Sequence, residues 1–209
     1  MKTILLQGDS ITDAGRSRES DWSMGFGYPT LLNSRISYDY PGQYKVLNRG
    51  ISGNRIVDLY ARIKQDIINL KPDILSILIG VNDIWHELVF QNGVPADKFF
   101  KIYSMLIEEI KAALPDTKII ILEPFILKAS ATEEHWEEFR TQVPVMAAKA
   151  REIADKYGLP FVELQNKFDE ALQYQPEAYW LEDGVHPSAA GHELIAREWM
   201  KVFHELENK

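Results

Sequence analysis

The sequence predicts a doubly wound α/β fold, a five-stranded parallel sheet with helices packed against it. Three observations carry the prediction. Five short apolar runs alternate with helix-periodic segments along the 209 residues. The first run is nearly continuous in apolar residues, the pattern of a strand covered on both faces. Strand–helix alternation implies parallel pairing with right-handed crossovers, and 2-1-3-4-5 is the simplest strand order that satisfies it. No internal repeat, low-complexity stretch or linker interrupts the pattern, so residues 1–209 are expected to form one domain.

Lys2 to Gln7 reads as the first strand, and Gly8-Asp9-Ser10 turns the chain into small polar residues that can cap a helix. A loop rich in Gly, Ser and charge covers Asp13 to Gly27, and a helix follows from Tyr28 to Ile36. Tyr44 to Asn48 is the second strand, ending in the turn Arg49 to Asn54. Ile56, Leu59, Tyr60, Ile63, Ile67 and Leu70 recur at helical spacing, which predicts one helix from Ile56 to Leu70, ended by Pro72. Asp73 to Ile79 is the third strand, followed by Gly80-Val81-Asn82-Asp83, and Trp85 to Gly93 is expected to be irregular. A helix over Ala96 to Leu114 leads to the fourth strand, Lys118 to Leu122. Ser130 and Glu133 fit a capping box, whose helix is expected to break near Pro144 and resume to Tyr157. Phe161 to Leu164 is the fifth strand and Phe168 to Leu172 a short helix. Tyr179 to Pro187 is a loop, and Ser188 caps a last helix reaching Leu206.

Composition narrows the function classes. A formal net charge of -8 gives no general attraction to nucleic acid or anionic membranes. The absence of cysteine excludes disulfides, thiolate zinc sites and a cysteine nucleophile. No apolar run approaches a membrane span and no secretory signal is visible, so a chain that naturally starts at residue 1 is expected to be cytoplasmic.

In the order 2-1-3-4-5, the carboxyl ends of strands two, one and three carry Gly53, Ser10 and Asn82 to one edge of the sheet, where open α/β sheets bind ligands. Each residue alone has a plain structural reading. Ser10 can simply cap a helix, Gly53 can serve a turn, and Asn82-Asp83 is a common turn pair. Together they suit ester hydrolysis by a serine, which needs a base, a group to orient the base, and donors for the oxyanion. In Asp183-Gly184-Val185-His186 the carboxylate can fold back to the imidazole Nδ1 and leave Nε2 free for Ser10. Alone, that stretch is a polar turn before a helix. The N–H groups of Ser10 and Gly53 and the Asn82 amide can supply three oxyanion donors.

Gly8-Asp9-Ser10, Gly50-Ile51-Ser52-Gly53-Asn54, Gly80-Val81-Asn82-Asp83 and Asp183-Gly184-Val185-His186 occur in the order of the four motif blocks of the SGNH hydrolases. The sequence resembles that family, also called the GDSL esterases and lipases, from residue 8 to 186. The resemblance implies Ser10 as nucleophile, His186 as base and Asp183 as its orienter, with Ser10, Gly53 and Asn82 forming the oxyanion hole. It also implies a flavodoxin-like three-layer α/β/α sandwich, which agrees with the strand reading. Gly15-Arg16, Asn82-Asp83-Ile84-Trp85, Glu123-Pro124-Phe125 and His186-Pro187-Ser188-Ala189-Ala190-Gly191-His192 extend the resemblance to carbohydrate acetylesterases, especially intracellular acetylxylan esterases.

The expectation is a serine esterase that needs no cofactor and removes acetyl groups from xylo-oligosaccharides or related carbohydrates through an acetyl-enzyme. Trp85, Phe125, Tyr179 and Trp180 flank strand ends or the catalytic loop and could pack on sugar faces, although each can equally anchor a core or loop. Asp9 is a further candidate substrate contact. Asp9, Asp13 and Asp83 could hold a metal, as a phosphohydrolase would require, but Asp9 and Asp83 are expected to make hydrogen bonds within their turns instead. A lipid or thioester acylhydrolase is the nearest alternative. The expected partner is a small acetylated carbohydrate, with apolar helix faces that could serve a core or a homo-oligomer interface.

Overall fold

The computed structural model describes residues 1–208 and places five parallel strands in the order β2-β1-β3-β4-β5. These are β1 (Lys2–Gly8), β2 (Tyr44–Asn48), β3 (Ile74–Leu78), β4 (Lys118–Leu122) and β5 (Phe161–Val162). Every residue of β3 is buried, as its central position and unbroken apolar run require. The register pairs Gly8 with Leu78 and Leu6 with Asn48, so β1, β2 and β3 end at nearly one level. A side chain at Gly8 would overlap the Leu78 carbonyl and the Thr12 hydroxyl, so this turn can leave the sheet only through glycine.

The chain steps from β1 to β2 and then back past β1 to β3. Right-handed crossovers therefore put the intervening helices on opposite faces. Helix α1 (Ser10–Asp13) is a single turn at the end of β1, and α2 (Tyr28–Asp39) is the first crossover helix. The second crossover contains α3 (Ile56–Ala61), α4 (Ile63–Asp66) and a 3-10 turn, Ile68–Leu70, rather than one helix. A side chain competes for the backbone there: Gln7 Nε2 donates to Asp66 O, while Arg62 ties the crossover to Asn54, Arg49 O and Gly8 O. The segment after β3, expected to be irregular, is helix α5 (Val81–Phe90). Val81 and Ile84 share its buried face, and Gln91 ends it in the left-handed conformation.

Helix α6 (Ala96–Ala113) packs against α3 and against α7 (Trp136–Tyr157). Helix α7 runs unbroken through Pro144. The proline removes one backbone bond, but Phe139, Val143, Met146, Ala150 and Ile153 are all buried along one face. That burial offsets the roughly 3 kcal/mol a helix-interior proline costs. No capping box forms at Ser130. Glu133 N instead donates to Ala129 O in a turn, and the helix starts after His135. Helices α8 (Gln165–Ala171), α9 (Glu177–Trp180) and α10 (Ala189–Glu207) complete the chain; α9 lies partly within the stretch expected to be a loop. Ser188 caps α10, which packs on α2, and Trp199 Nε1 of α10 donates 3.0 Å to Ser76 Oγ of β3. Among the described residues no helix is long and apolar enough to cross a membrane.

Candidate active site

Asp9 is the N-cap of α1, its Oδ1 accepting from Ile11 N–H at 3.0 Å, and this stands Ser10 at the first position of the helix. The first N–H groups of a helix have no intrahelical acceptor, so the Ser10 N–H is free by geometry. Across 176 residues of sequence, Ser10 Oγ meets His186 Nε2 at 2.8 Å. His186 Nδ1 lies 2.7 Å from Asp183 Oδ2. The other Asp183 oxygen accepts from Val185 N–H at 2.9 Å and His186 N–H at 2.8 Å, so both carboxylate oxygens are oriented.

The carboxylate-imidazole loop is pinned by backbone bonds to the segment after β4. Leu127 N–H donates to Gly184 O and Ala131 N–H to Asp183 O, each at 2.9 Å. Gly184 has φ of 97°, and a side chain on it would strike the Leu127 carbonyl and Thr132. The same bonds explain why Ser130 starts no helix: its neighbours hold the loop that carries the histidine.

Protonation follows from these contacts. The hydrogen bond to Asp183 raises the His186 imidazole above its ordinary 6.5, with burial working against it. Burial pushes the Asp183 carboxyl up, but the His186 ring and the His186 and Val185 N–H groups prevail and bring it down to about 2. Such a pair suits a base whose protonated form is stabilised beside a permanent carboxylate. Asp9 is different. Burial lifts it to about 7, against the hydrogen bond from Ile11 and the charge of His186.

Gly53 sits in the turn after β2 with φ of 79°, and its N–H takes no protein acceptor among the described residues. Asn82 is in the first turn of α5, where Nδ2 donates 3.1 Å to Asn54 O and keeps its second proton. The hydrogen bond ties Asn82 to the glycine turn, since Asn54 follows Gly53 directly. One helical turn on, Trp85 sets its ring 6.0 Å from that of His186 and meets Phe139 edge-on at 6.0 Å.

Other expectations need correction. Phe125 is buried in the core, its ring 4.6 Å from Phe168, and offers no face to a ligand. Asp9 is also buried, at 1% exposure, and acts as a cap rather than a substrate contact. Trp180 lines a separate groove with Tyr174, Leu194 and Arg197, its Nε1 donating to Gln175 O, and Tyr179 packs edge-on against it. Both belong to α9. Asp13 and Asp83 are engaged apart from each other, Asp13 by Ser52 and Asp83 by Ile56 N–H.

Beside Ser10 and His186 lies a cleft of about 690 Å³ whose walls include Phe26, Ser52, Glu182 and His192. Phe26 and Glu182 were not apparent in the sequence as site residues. An aromatic between two glycines, Gly25-Phe26-Gly27, was the available signal. His192 is buried in the cleft wall, and burial followed by the nearby His186 lowers it to about 4, so it stays neutral.

The chain is similar to known proteins over nearly its whole length. The model of the GDSL-like Lipase/Acylhydrolase family matches residues 6–194. An acetylxylan esterase from Geobacillus stearothermophilus is 34% identical over 207 residues, covering 95% of this chain and 92% of that protein. A structure assigned as a GDSL-like lipase from Parabacteroides merdae superposes with a TM-score of 0.93 at 36% identity, covering 97% of this chain and 95% of the other. Axe2, an acetylxylan esterase from G. stearothermophilus, superposes with a TM-score of 0.85 at 33% identity, covering 96% and 93%. Two further Axe2 structures are of catalytic mutants, one with a serine and one with an aspartate replaced by alanine.

Proposed function

Because the chain belongs to the GDSL-like lipase/acylhydrolase family and is a carboxylic-ester hydrolase, we propose that it removes acetyl groups from carbohydrates, with acetylated xylo-oligosaccharides as the substrate class. The observation that carries this reading is the continuous hydrogen-bonded line Ser10 Oγ to His186 Nε2 and His186 Nδ1 to Asp183 Oδ2, at 2.8 and 2.7 Å. The acetylxylan esterase similarity supports the substrate class, and the serine and aspartate of the Axe2 catalytic mutants are the residue types proposed here.

In this mechanism Ser10 Oγ attacks the acetyl carbonyl carbon while His186 Nε2 takes its proton. The new oxyanion accepts from the Ser10 and Gly53 N–H groups and from Asn82 Nδ2. Collapse breaks the bond to the sugar oxygen, to which His186 returns the proton. Water then attacks the acetyl-Ser10 ester with His186 as base, releasing acetate and restoring Ser10. Asp183 keeps the imidazole in the tautomer with Nε2 open and stabilises its charged form.

Acetate release from acetylated xylo-oligosaccharides and from ethyl acetate, for wild type beside Ser10→Ala, tests the reading. Turnover of both esters is expected in wild type, with loss of both in the variant. Serine-dependent turnover of ethyl acetate alone would retain the esterase chemistry and reject the carbohydrate substrate. Undiminished turnover in a folded Ser10→Ala protein would reject the nucleophile.

A further inference from the structure

We propose that Phe26 determines specificity by providing a flat platform for the sugar ring of the leaving alcohol, with the Glu182 carboxylate accepting hydroxyl hydrogen bonds in the same cleft. The inference rests on the carbohydrate esterase reading and extends it to named contacts.

The direction of the reaction assigns the cleft. The leaving oxygen must receive its proton from His186 Nε2, so the alcohol half of the ester lies on the His186 side of Ser10. The carbonyl oxygen must point the other way, toward Gly53 and Asn82. The cleft of about 690 Å³ is lined by Ser10, His186, Phe26 and Glu182, and Asn82 and Trp85 do not line it. It is therefore the room for the alcohol, with a volume in the range of small-ligand pockets, roughly 300–1,000 Å³.

Phe26 is unusual within it. The residue is 80% exposed, although the backbone around it is held at four successive residues. Met24 O accepts from Asn48 Nδ2 at 3.0 Å, and Gly25 O from Thr30 Oγ1 at 2.5 Å. Phe26 N–H donates to Ala14 O at 2.9 Å, and Gly27 O accepts from Thr30 N–H at 3.0 Å. Gly15 faces the ring so closely that a side chain there would overlap it. The fold gains little from leaving an apolar ring in water, yet fixes its position beside the nucleophile. Such a ring is pre-organised for a ligand with an apolar face, and the C–H face of a pyranose is one. Glu182 is exposed on the same cleft and supplies acceptors for the hydroxyls at the edge of that ring.

The test compares kcat/KM on acetylated xylo-oligosaccharides with kcat/KM on ethyl acetate, whose alcohol has no ring. In Phe26→Ala the ratio of sugar ester to ethyl acetate is expected to fall about fivefold to tenfold, chiefly through a higher KM for the sugar. Phe26→Tyr should restore the ratio. Phe26→Leu keeps apolar volume but removes the flat face, and should behave as Phe26→Ala; it also provides a second variant if the alanine protein fails to fold. An unchanged ratio in the alanine and leucine variants would overturn the platform while leaving the carbohydrate esterase reading intact. Wild-type turnover of ethyl acetate without turnover of any acetylated sugar would overturn both.

Discussion

Two concavities are formed around the segment that ends in His186. One lies beside Ser10 and has about 690 Å³; the other, about 560 Å³, lies between α8 and α10 around Trp180. Both carry aromatic and charged residues, and the sequence suggests a catalytic role for residues of the first and a substrate contact, Trp180, for the second. They differ in how the polar groups are arranged. Beside Ser10, three side chains from opposite ends of the chain form one directed line of hydrogen bonds. Around Trp180 the charged groups pair locally, as Lys167 does with Glu170 and Lys201 with Glu198 one helical turn away. Volume and aromatic content do not separate the two places; a histidine held between a carboxylate and a serine hydroxyl does.

Substitutions can break that contrast, and their expected effects fall in a definite order. Ser10→Ala should reduce kcat on the order of 10⁵- to 10⁶-fold, read as acetate release by a purified, folded variant. Asp183→Asn should cost on the order of 10⁴-fold, because the imidazole loses the partner that fixes its tautomer. The same variant changes the pH profile. His186 is raised above 6.5 chiefly by Asp183, and the base acts only when neutral, so the wild-type acid limb of kcat/KM is expected to have its midpoint above pH 6.5. Activity falls as pH drops through that midpoint, and Asp183→Asn should move the midpoint down. A wild-type profile flat from pH 5 to 8 would remove His186 from the role of base.

Asn82→Ala should lower kcat about 100- to 1,000-fold with little change in KM, as loss of a donor used only in the transition state requires. An effect confined to KM would instead make Asn82 a ground-state contact. The smallest effect sharpens the contrast from the other side. Trp180→Ala is expected to leave kcat/KM for acetylated xylo-oligosaccharides where it is, since its ring lines the second groove. A loss selective for the sugar ester would bring that groove into the substrate site.

How much of this was legible in the sequence depends on the range of the interactions. The parallel sheet and its order were readable because each strand is a local apolar run and chirality fixes the crossovers. The sequence places Ser10, Gly53 and Asn82 on one edge because strand ends share it whatever the loops do, while His186 lies on the loop before α10 and rests on its spacing from Asp183. The aromatics were not. Trp85 and Phe125 both follow strands, yet Trp85 lies beside His186 while Phe125 packs on Phe168 in the core, and only tertiary packing separates them. The Ile56–Leu70 stretch is not one helix because Gln7 takes the Asp66 carbonyl that helical periodicity assigns to Leu70 N–H, which bonds to Ile67 O instead. Phe26 was hidden in a loop with no period, where the informative feature is its exposure beside a fixed backbone.

The central claim is that Ser10 is the nucleophile on which the rest of the site converges. A fluorophosphonate, which forms a covalent ester with an activated serine hydroxyl, tests it directly. Labelling of wild type, followed by peptide mass mapping, should place one phosphonyl group on Ser10, with esterase activity lost in proportion to the label. Inactivation with the label on another residue, or full activity in protein labelled at Ser10, would contradict it.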